Sequence, residues 1–360
     1  MTSIRAYSRR ITGLRHLLSD QGVDALLVIK REDVRYLTGF SGSAGVVLIN
    51  ARKVCLITDF RYQVQARRET SGIQVLIQKK DQVSAIADTV VRYDMDTVWF
   101  EESALTVEGL KKLKKQGLKL KGCGDLIGGL RERKDAAELA SIRRAVQRAE
   151  DSFRKLTKQI KAGVTERELA FRLEYLMREQ GARKAAFDTI VASGPNGAMP
   201  HASITDRRIR KGDLVTFDFG AEADGYYSDM TRTVCIGSPT PRQRRLYDLV
   251  LSAQQAAVSR VLPGVTCKSI DDAARSVIEK AGFGKEFGHG TGHGIGLMVH
   301  ERPSVSRLSK DRVTEGMVFT VEPGIYIDGW GGIRIEDMVL AEKGGVNMLT
   351  SLPRDLSILS

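Results

Sequence analysis

Short apolar runs alternate with amphipathic stretches along the first third of the chain. The apolar runs are rich in β-branched residues and are bounded by glycine or polar residues, which predicts strands. These predicted strands are residues 25–29, 46–49, 54–57, 73–77 and 98–100. Apolar residues recur at helical spacing over residues 4–20, 59–68, 83–91 and 106–115. Because strands and helices are interspersed, we predict a small α/β domain over residues 1–125, without a catalytic cluster.

The rest of the chain carries longer helical patterns separated by β-rich segments. Helices are predicted at residues 131–161, 165–181, 241–261 and 269–281. Thr165 followed by Glu168 is a capping-box pattern, which marks the start of the second of these helices. We therefore predict an α+β domain over residues 135–360. A glycine-rich run, GCGDLIGG, precedes it, so residues 126–134 are predicted to form a linker.

Composition adds three limits to this picture. The net charge is +12, but no pattern of basic and aromatic residues accompanies it, so we do not expect nucleic acid as a partner. The four cysteines are widely spaced, which argues against a zinc ribbon or a disulfide framework and favours the cytoplasm. The N-terminus lacks an apolar core, and no run approaches about 18 apolar residues, so we expect neither a signal peptide nor a membrane span.

Two strand-like runs flank Asp224 and Gly225, a dipeptide that strongly signals a two-residue hairpin turn. A turn at this position places Asp218 opposite Thr231. Asp218 and Asp229 then become diagonal neighbours on one face of the hairpin, about 7–8 Å apart. From that separation the two carboxylates can converge on a metal ion.

A second pair of strand-like runs flanks the glycine-rich segment 328–332. Glu322 and Glu336 lie on the two runs at an even spacing, so they can share one face. Pro323 predicts a bend or an edge beside Glu322. A single acid in a strand is most often only exposed to solvent. Two acidic pairs among Val, Phe and Ile would, however, be costly to bury without a cation.

Residues 287–301 combine histidine and glycine at high density. They hold His289, His293 and His300, three of the five histidines in the chain. A dinucleotide-binding loop needs an uninterrupted glycine pattern between a strand and a helix, so we set that interpretation aside. One imidazole with four carboxylates suits Mn²⁺, Co²⁺, Fe²⁺ or Zn²⁺. Five ligands exceed what one catalytic ion with an open position takes, so we predict two ions that share carboxylates.

Short motifs along the chain resemble those of one enzyme family. They are DVRYLTGF (33–40), TDFRYQVQA (58–66), PHA (200–202), DFG (218–220), SDMTRT (228–233), HGTGHGIGLMVHE (289–301), EPGIY (322–326) and RIED (334–337). With these motifs the chain resembles the metal-dependent Xaa-Pro peptidases aminopeptidase P and prolidase. The resemblance implies a C-terminal pita-bread catalytic domain preceded by a smaller creatinase-type N-terminal α/β domain.

The resemblance also implies which residues form the site. The implied metal ligands are Asp218, Asp229, His293, Glu322 and Glu336, of which Asp229 and Glu336 bridge two ions. The implied residues for substrate orientation and proton transfer are His201, His289, His300 and Glu322, with Arg334 orienting a ligand. Mn²⁺ is the expected metal, and Co²⁺, Zn²⁺ and Fe²⁺ are alternatives. A homodimer is also expected, in which Arg61 and Tyr62 approach the second copy's site.

The expected reaction is hydrolysis of the Xaa-Pro bond at the N-terminus of peptides by a metal-bridging hydroxide, as in Xaa-Pro aminopeptidases. The substrates would carry proline at the second position, in a pocket lined by His289 and Phe187. The short N-terminal domain and TDFRYQVQA favour this class. One alternative is a prolidase, which cleaves dipeptides and could bind their carboxylate with Arg302 or Arg307. A more distant alternative is a non-catalytic binding module of the same fold, which the intact ligand set disfavours.

Overall fold

The chain divides between Arg131 and Glu132 in the computed structural model, which describes residues 4–360. The two units are Met1–Arg131 and Glu132–Ser360, and each contains a buried hydrophobic cluster of its own. Residues 1–3 belong to the predicted domain 1–125 and to the N-terminus considered above, and they lie outside the described part. No helix among the described residues combines the length and apolar character needed to cross a bilayer.

The first unit is a mixed sheet with surrounding helices. Its described strands are β1 (Ala25–Val28), β2 (Gly45–Asn50), β3 (Val54–Thr58), β4 (Gln74–Ile77), β5 (Thr97–Glu101) and β6 (Lys119–Cys123). Its described helices are α1 (Ile4–Asp20), α2 (Arg31–Thr38), α3 (Gln63–Glu69), α4 (Gln82–Arg92), α5 (Val107–Lys115) and α6 (Leu126–Arg131). Every strand and helix predicted here is present, whereas α2, β6 and α6 are not anticipated by the pattern.

The strand order in this sheet is β4-β3-β2-β1-β5-β6. β2 runs antiparallel to β1 and β3, and the other pairs are parallel. Every residue of β1 and β3 is buried, as expected for strands covered on both faces, which explains their continuous apolar sequences.

The second unit contains the remaining helices and most of the strands. Its helices are α7 (Ala136–Thr157), α8 (Glu166–Glu179), α9 (Pro241–Ser259) and α10 (Cys267–Lys280). Its first strands are β7 (Ile190–Ser193), β8 (Leu214–Phe219), β9 (Glu222–Ala223), β10 (Tyr226–Tyr227), β11 (Met230–Ile236) and β12 (Gly292–Gly294). The others are β13 (Glu301–Val305), β14 (Val318–Val321), β15 (Gly324–Ile327), β16 (Gly331–Arg334), β17 (Asp337–Glu342), β18 (Gly345–Met348) and β19 (Ile358–Leu359).

Two sheets and two short hairpins organise these strands. One sheet has the order β19-β11-β8-β7, and the other has the order β13-β12-β14-β17-β18. β9 pairs with β10, and β15 pairs with β16. The helices α9 and α10 contribute apolar side chains such as Tyr247 and Ile270 to the main core of this unit, beside Phe319 and Val339 from the second sheet.

The first predicted hairpin is present with the predicted register. Asp218 pairs with Thr231, and Met230 pairs with Phe219. Asp224 and Gly225 both have positive φ, 52° and 82°, as a type I′ turn requires. The dipeptide therefore determines which face of β8 and β11 carries the acids.

The second predicted hairpin is present but is interrupted where Pro323 predicts a bend. Val321 pairs with Asp337 in one segment, and Gly324 pairs with Arg334 in the next. The register is the same on both sides of the interruption, so Glu322 and Glu336 stand opposite each other within it. Pro323 has no N–H for the ladder, and the break leaves both glutamates free to turn towards the same side.

Capping residues fix the helix starts in the second unit. Thr165 and Glu168 form the predicted capping box at the start of α8. A second capping box joins Asp135 and Glu138, so α7 begins at Ala136 and not at 131 as the apolar periodicity suggests. Periodicity alone does not mark a helix end, because apolar spacing continues past the cap.

The span predicted as a linker, residues 126–134, contains the boundary between the two units but is not an irregular segment. Residues 126–131 form the helix α6, in which Ile127 is buried and donates its N–H to Glu101. Lys134 donates its N–H to the Gly316 carbonyl, and its side chain pairs with Glu301 in the second unit. Glycines in GCGDLIGG suggest a linker by composition, but these tertiary bonds order the segment.

Candidate active site

A cleft of about 930 Å³ in the second unit collects the candidate site residues. The candidate metal ligands that line it are Asp218, Asp229, His293, Glu322 and Glu336. The other candidates that line it are His201, His289, His300 and Arg334. Phe187, which we predict to contact the proline ring, lines it as well. Side chains that are far apart in sequence therefore meet in one cavity.

The four carboxylates stand at the ends of strands or close to them. Asp218 lies in β8, and Asp229 immediately precedes β11 across the first hairpin. Glu322 follows β14, and Glu336 precedes β17 in the interruption of the second hairpin. Each hairpin thus supplies one pair of acids, and backbone pairing on either side holds them in place.

Asp229, His293 and Glu336 form the tightest group in the cleft. Each offers a ligand atom, and these atoms all lie within 4.8 Å of one another. His293 Nε2 lies 3.6 Å from Asp229 Oδ2 and 3.4 Å from Glu322 Oε1. Metal–nitrogen and metal–oxygen bonds are about 2.0–2.2 Å long, so a cation between these atoms could contact several of them.

Hydrogen bonding fixes the tautomer of His293. Its Nδ1 lies 3.1 Å from the carbonyl oxygen of Gly294. A carbonyl oxygen only accepts, so Nδ1 carries the proton and Nε2 turns its lone pair to the carboxylates. Burial also lowers the pKa of His293, which favours the neutral ring. A neutral imidazole held in this way is the form that binds a metal.

Two glycines let the strand that carries His293 pass close to its neighbours. A Cβ atom at Gly292 would overlap the carbonyl oxygen of Thr320, and one at Gly294 would overlap that of Arg302. A larger residue would push β12 away from β14 or from β13. The glycine density of this run therefore reflects close packing on both sides of β12.

Arg334 connects two of the carboxylates. Its Nη2 donates to Asp218 Oδ2 at 2.6 Å, and its Nε donates to Thr231 Oγ1 at 3.0 Å. The Thr231 hydroxyl in turn donates to Glu336 Oε2 at 2.7 Å. The guanidinium is buried, so it contacts Asp218 directly and Glu336 through one hydroxyl. This is the geometry that an orienting residue needs.

Tyr326 links Arg334 to His289. Arg334 Nη1 donates to the Tyr326 hydroxyl oxygen at 2.8 Å. Burial raises the pKa of Tyr326 to about 12, so its hydroxyl keeps its proton and donates it to His289 Nε2, 3.0 Å away. His289 Nδ1 donates to the Gly290 carbonyl at 2.7 Å. Both ring nitrogens of His289 are therefore engaged, and a substrate meets the ring rather than a free nitrogen.

Replacing Tyr326 with phenylalanine should lower kcat by about 10-fold, the smaller end of the effects seen when a partner of a site residue is lost. The hydroxyl is removed, so His289 loses its donor and Arg334 loses an acceptor. Steady-state kinetics and metal analysis of the variant test this. Tyr175→Phe, at an exposed tyrosine of α8, is the control. An unchanged kcat in Tyr326→Phe would contradict the expected role.

The buried acids repel one another in the metal-free protein. Burial raises the pKa of Asp229, Glu322 and Glu336, and neighbouring carboxylates raise those of Asp229 and Glu336 further. Asp218 Oδ1 is buried and accepts no hydrogen bond from any described residue. Raised acid pKa values and an unsatisfied carboxylate oxygen both indicate that divalent cations fit between these residues.

Divalent metal binding should therefore release protons and weaken as the pH falls. Carboxylates with raised pKa values hold their protons to a higher pH than ordinary acids do, and a cation must displace those protons. Isothermal titration of the metal-free protein in two buffers with different ionisation enthalpies counts the released protons. Binding without proton release, or binding that strengthens on acidification, would contradict the electrostatics described here.

His201 and His300 line the cleft with exposed side chains, whereas Arg302 and Arg307 do not line it. Arg302 Nη2 pairs with Asp311 at 2.8 Å, and Arg307 pairs with a glutamate of α10. Neither position adds support to the idea that one of these arginines binds a substrate carboxylate, which stays a prediction.

An acidic cluster in the first unit was not anticipated. Oxygen atoms of Asp33, Glu101 and Asp125 lie within 4.8 Å of one another. Lys30 Nζ lies 3.5 Å from Glu101 and 3.3 Å from Asp125, and Arg131 pairs with Asp33 at 2.8 Å. Burial raises the pKa of Asp33 to about 7. Two basic side chains already pair with these three acids, so we assign the cluster a structural role.

A buried ion pair on α10 anchors the histidine-glycine run. Arg275 bonds Asp271 through Nε at 2.8 Å, and it donates to the carbonyl oxygens of Phe287 and His289 at 2.8 and 2.7 Å. Asp271 Oδ1 accepts from the N–H and the hydroxyl of Thr291 at 3.1 and 2.8 Å. These bonds hold the backbone on both sides of His289.

Sequence reasoning did not single out Thr231, Thr320 or Tyr326 as site residues. Thr231 is predicted opposite Asp218, and Tyr326 ends the motif EPGIY, so the sequence placed both residues close to candidate ligands. Thr320 carried none: its hydroxyl accepts from the His293 N–H and donates to Glu322 at 3.1 Å. Hydroxyl partners are difficult to find from sequence because threonine is common in strands.

Comparison with known proteins accounts for both units. The model described as Metallopeptidase family M24 matches residues 140–343, and the Creatinase/Prolidase N-terminal domain matches residues 10–133. An Xaa-Pro dipeptidase of Pyrococcus horikoshii is 38% identical to this chain, covering 97% of it and 99% of the relative.

Two solved structures are similar over nearly the whole chain. An Xaa-Pro dipeptidase from Bacillus anthracis has a TM-score of 0.95 and 37% identity, covering 98% of this chain and 100% of that one. An X-Pro aminopeptidase from Thermotoga maritima has a TM-score of 0.89 and 39% identity, covering 94% and 98%. The resemblance and the fold class expected from the motifs are confirmed. The chain belongs to metallopeptidase family M24 and carries a creatinase/prolidase-type N-terminal domain.

Proposed function

We propose that this protein is an Xaa-Pro dipeptidase, which hydrolyses the bond between a first residue and proline. The observation that carries the proposal is the convergence of four acids and a neutral histidine in one cleft of about 930 Å³. Solved and curated relatives named Xaa-Pro dipeptidase support the dipeptide class over the aminopeptidase class that the motifs first favoured.

We assign the metal site to the cleft's acids and one histidine, with two divalent ions and Mn²⁺ as the first candidate. The assigned ligands are Asp218, Asp229, His293, Glu322 and Glu336. Such ions, when bound, supply Lewis-acid activation of a water nucleophile and of the scissile carbonyl. The raised pKa values of the buried acids and the tautomer of His293 support this assignment.

The remaining side chains act on the substrate. An Xaa-Pro bond is a tertiary amide without an N–H, so recognition must come from the shape of the proline ring. Phe187 and the engaged ring of His289 are suited to contact that ring. Glu322 is proposed to accept a proton from the nucleophile, and exposed His300 to pass one to the leaving nitrogen. His201 is proposed to donate to the developing negative charge on the carbonyl oxygen.

A direct assay tests the proposal. The purified protein is stripped of metal, reloaded with Mn²⁺, Co²⁺ or Zn²⁺, and given Leu-Pro beside Leu-Ala. Hydrolysis of Leu-Pro in preference to Leu-Ala, lost on stripping and restored on reloading, is expected. Failure to cleave Leu-Pro with all three metals, or full activity after thorough stripping, would refute the proposed function.

Longer peptides with proline second are a second candidate substrate class, and one observation favours them. Among the residues described, one arginine and no lysine line the cleft. That arginine, Arg334, already donates to Asp218, Tyr326 and the Pro200 carbonyl. A dipeptide's carboxylate thus finds no uncommitted permanent cation among these lining residues. Comparison of kcat/KM for Leu-Pro and Leu-Pro-Gly separates the two classes.

The homodimer expected from the resemblance remains a prediction, as does the cytoplasmic location. Arg61 is paired with Asp59 at 2.8 Å, and the Tyr62 hydroxyl bonds Ser43. Sedimentation equilibrium of the purified protein tests the dimer, and a monomer at micromolar concentration would contradict it.

A further inference from the structure

Lys134 is a buried lysine at the start of the second unit. Its side chain has no solvent exposure, and its Nζ lies 2.9 Å from Glu301 Oε1, whose side chain is 9% exposed. A buried ammonium group is unfavourable unless an acid compensates it. The charges of Lys134 and Glu301 therefore compensate each other.

The Glu301 carboxylate is seated inside a tight turn. A Cβ atom at Gly296 would lie 2.5 Å from Glu301 Oε1, so the carboxylate in this position packs closely against the glycine. Glu301 Oε2 accepts from the Met298 N–H at 3.4 Å, and the Gly296 N–H donates to the Met298 carbonyl at 3.0 Å. The carboxylate thus stabilises the turn at residues 296–301 by accepting a hydrogen bond from its backbone.

Residues 132–134 form ion pairs with the two residues that directly follow His300 in sequence. Lys134 pairs with Glu301, and Glu132 pairs with Arg302 at 3.0 Å. Backbone hydrogen bonds fix the segment in turn, since the Lys134 N–H donates to the Gly316 carbonyl at 2.8 Å. The chain directly after His300 is therefore attached to an ordered support.

His300 depends on this support for its position. Its side chain is exposed in the cleft, and its ring centroid lies 4.2 Å from that of His293. In residues 4–360, no side chain or backbone group makes a hydrogen bond to the His300 ring. Ring position is then set by the backbone of residues 296–301 and by contact with His293.

We propose that Lys134 is a positioning residue, which acts through Glu301 to hold His300 against the substrate. The proposal rests on the role given to His300 in the proposed function. A lysine outside the cleft would then control the proton transfer at the leaving nitrogen, because a misplacement of about 1 Å can cost about 100-fold in rate.

A double-mutant cycle on activity tests the proposal. The variants are Lys134→Met, His300→Ala and the double variant, loaded with the same metal. Lys134→Met should lower kcat by about 10-fold or more with less than about 2-fold change in KM, and should lower it by less than about 2-fold in the His300→Ala background. An equal loss in both backgrounds would mean a general structural role and would overturn the proposal.

A second measurement does not depend on activity. The chain has five histidines, so the ring Cε1–H signals of histidine-labelled protein can be assigned by substitution. Lys134→Met should shift or broaden the His300 signal and leave that of His16 unchanged. An unchanged His300 signal would overturn the proposal. A changed signal in a protein that cleaves no Xaa-Pro substrate would instead refute the proposed function alone.

Two further variants distinguish a specific loss of activity from misfolding. Glu301→Gln keeps the shape of the side chain and removes the charge that compensates Lys134, so it should reproduce the loss of kcat. Lys134→Met combined with Glu301→Gln removes both charges and should recover part of the thermal stability without recovering kcat. Lys268→Met, at an exposed lysine paired with Asp272, is the matched control and should behave as the unaltered protein.

Discussion

Replacing Glu336 with glutamine should reduce kcat/KM by more than about 100-fold and remove bound metal. Loss of a group around a metal ligand costs about 10–100-fold, so loss of a proposed ligand itself should cost more. Ligand atoms of Glu336, Asp229 and His293 lie within 4.8 Å of one another, and the Thr231 hydroxyl donates a hydrogen bond to Glu336. Metal analysis by mass spectrometry after dialysis and steady-state kinetics on Leu-Pro measure both effects.

Glu342→Gln is the matched control, because Glu342 is an exposed glutamate at the far end of β17, the strand that follows Glu336. It should retain metal and activity. The metal-free Glu336→Gln protein should also be more stable than the metal-free parent, since one of several mutually repelling buried acids is gone. Retention of two ions per chain in Glu336→Gln would remove Glu336 from the ligand set.

Asp271→Ala should lower the free energy of unfolding by about 3–5 kcal/mol, the usual cost of breaking a buried ion pair by removing one partner. Arg275 would remain buried without its acid, and Thr291 would lose the acceptor for its N–H and its hydroxyl. Activity at a permissive temperature should fall too, because these bonds hold the backbone around His289 and the Thr291 carbonyl that accepts from the Glu322 N–H.

Asp272→Ala is the control for this effect at the next position along the same helix. Asp272 pairs with Lys268, and both side chains are about half exposed, so the change should stay within about 0.5 kcal/mol. Urea unfolding of the two variants measures the difference. Similar midpoints for Asp271→Ala and Asp272→Ala would contradict the anchoring role of the buried pair.

The placement of the acids could be predicted because a strand has a side-chain period of two. Once Asp224 and Gly225 identify a two-residue turn, the partner of every residue in the hairpin follows, and Asp218 must face Thr231. The same argument held for Glu322 and Glu336 at an even spacing, although Pro323 interrupts the ladder between them. Local sequence signals therefore carried the relative position of each pair.

The structure corrected predictions that rested on composition or on periodicity. The glycine-rich span 126–134 looks like a linker, yet Ile127 and Lys134 are buried there. The first long helix begins after Asp135, because a capping box overrides the apolar period. Arg302 follows the histidine-glycine run in sequence, but its guanidinium pairs with Asp311 and Glu132 and does not line the cleft. Each outcome depended on a partner distant in sequence.

The sequence by itself determined the two hairpins, the acids that each one presents and the histidine run between them, because these follow from local backbone geometry. Only the tertiary structure decided what the histidines can do. Tyr326 occupies the second nitrogen of His289, and the Gly294 carbonyl turns Nε2 of His293 towards the acids. The His300 ring receives no hydrogen bond from any residue that the structure describes. A histidine's role depends on which of its two nitrogens is engaged, and that is set by neighbours that no spacing rule identifies.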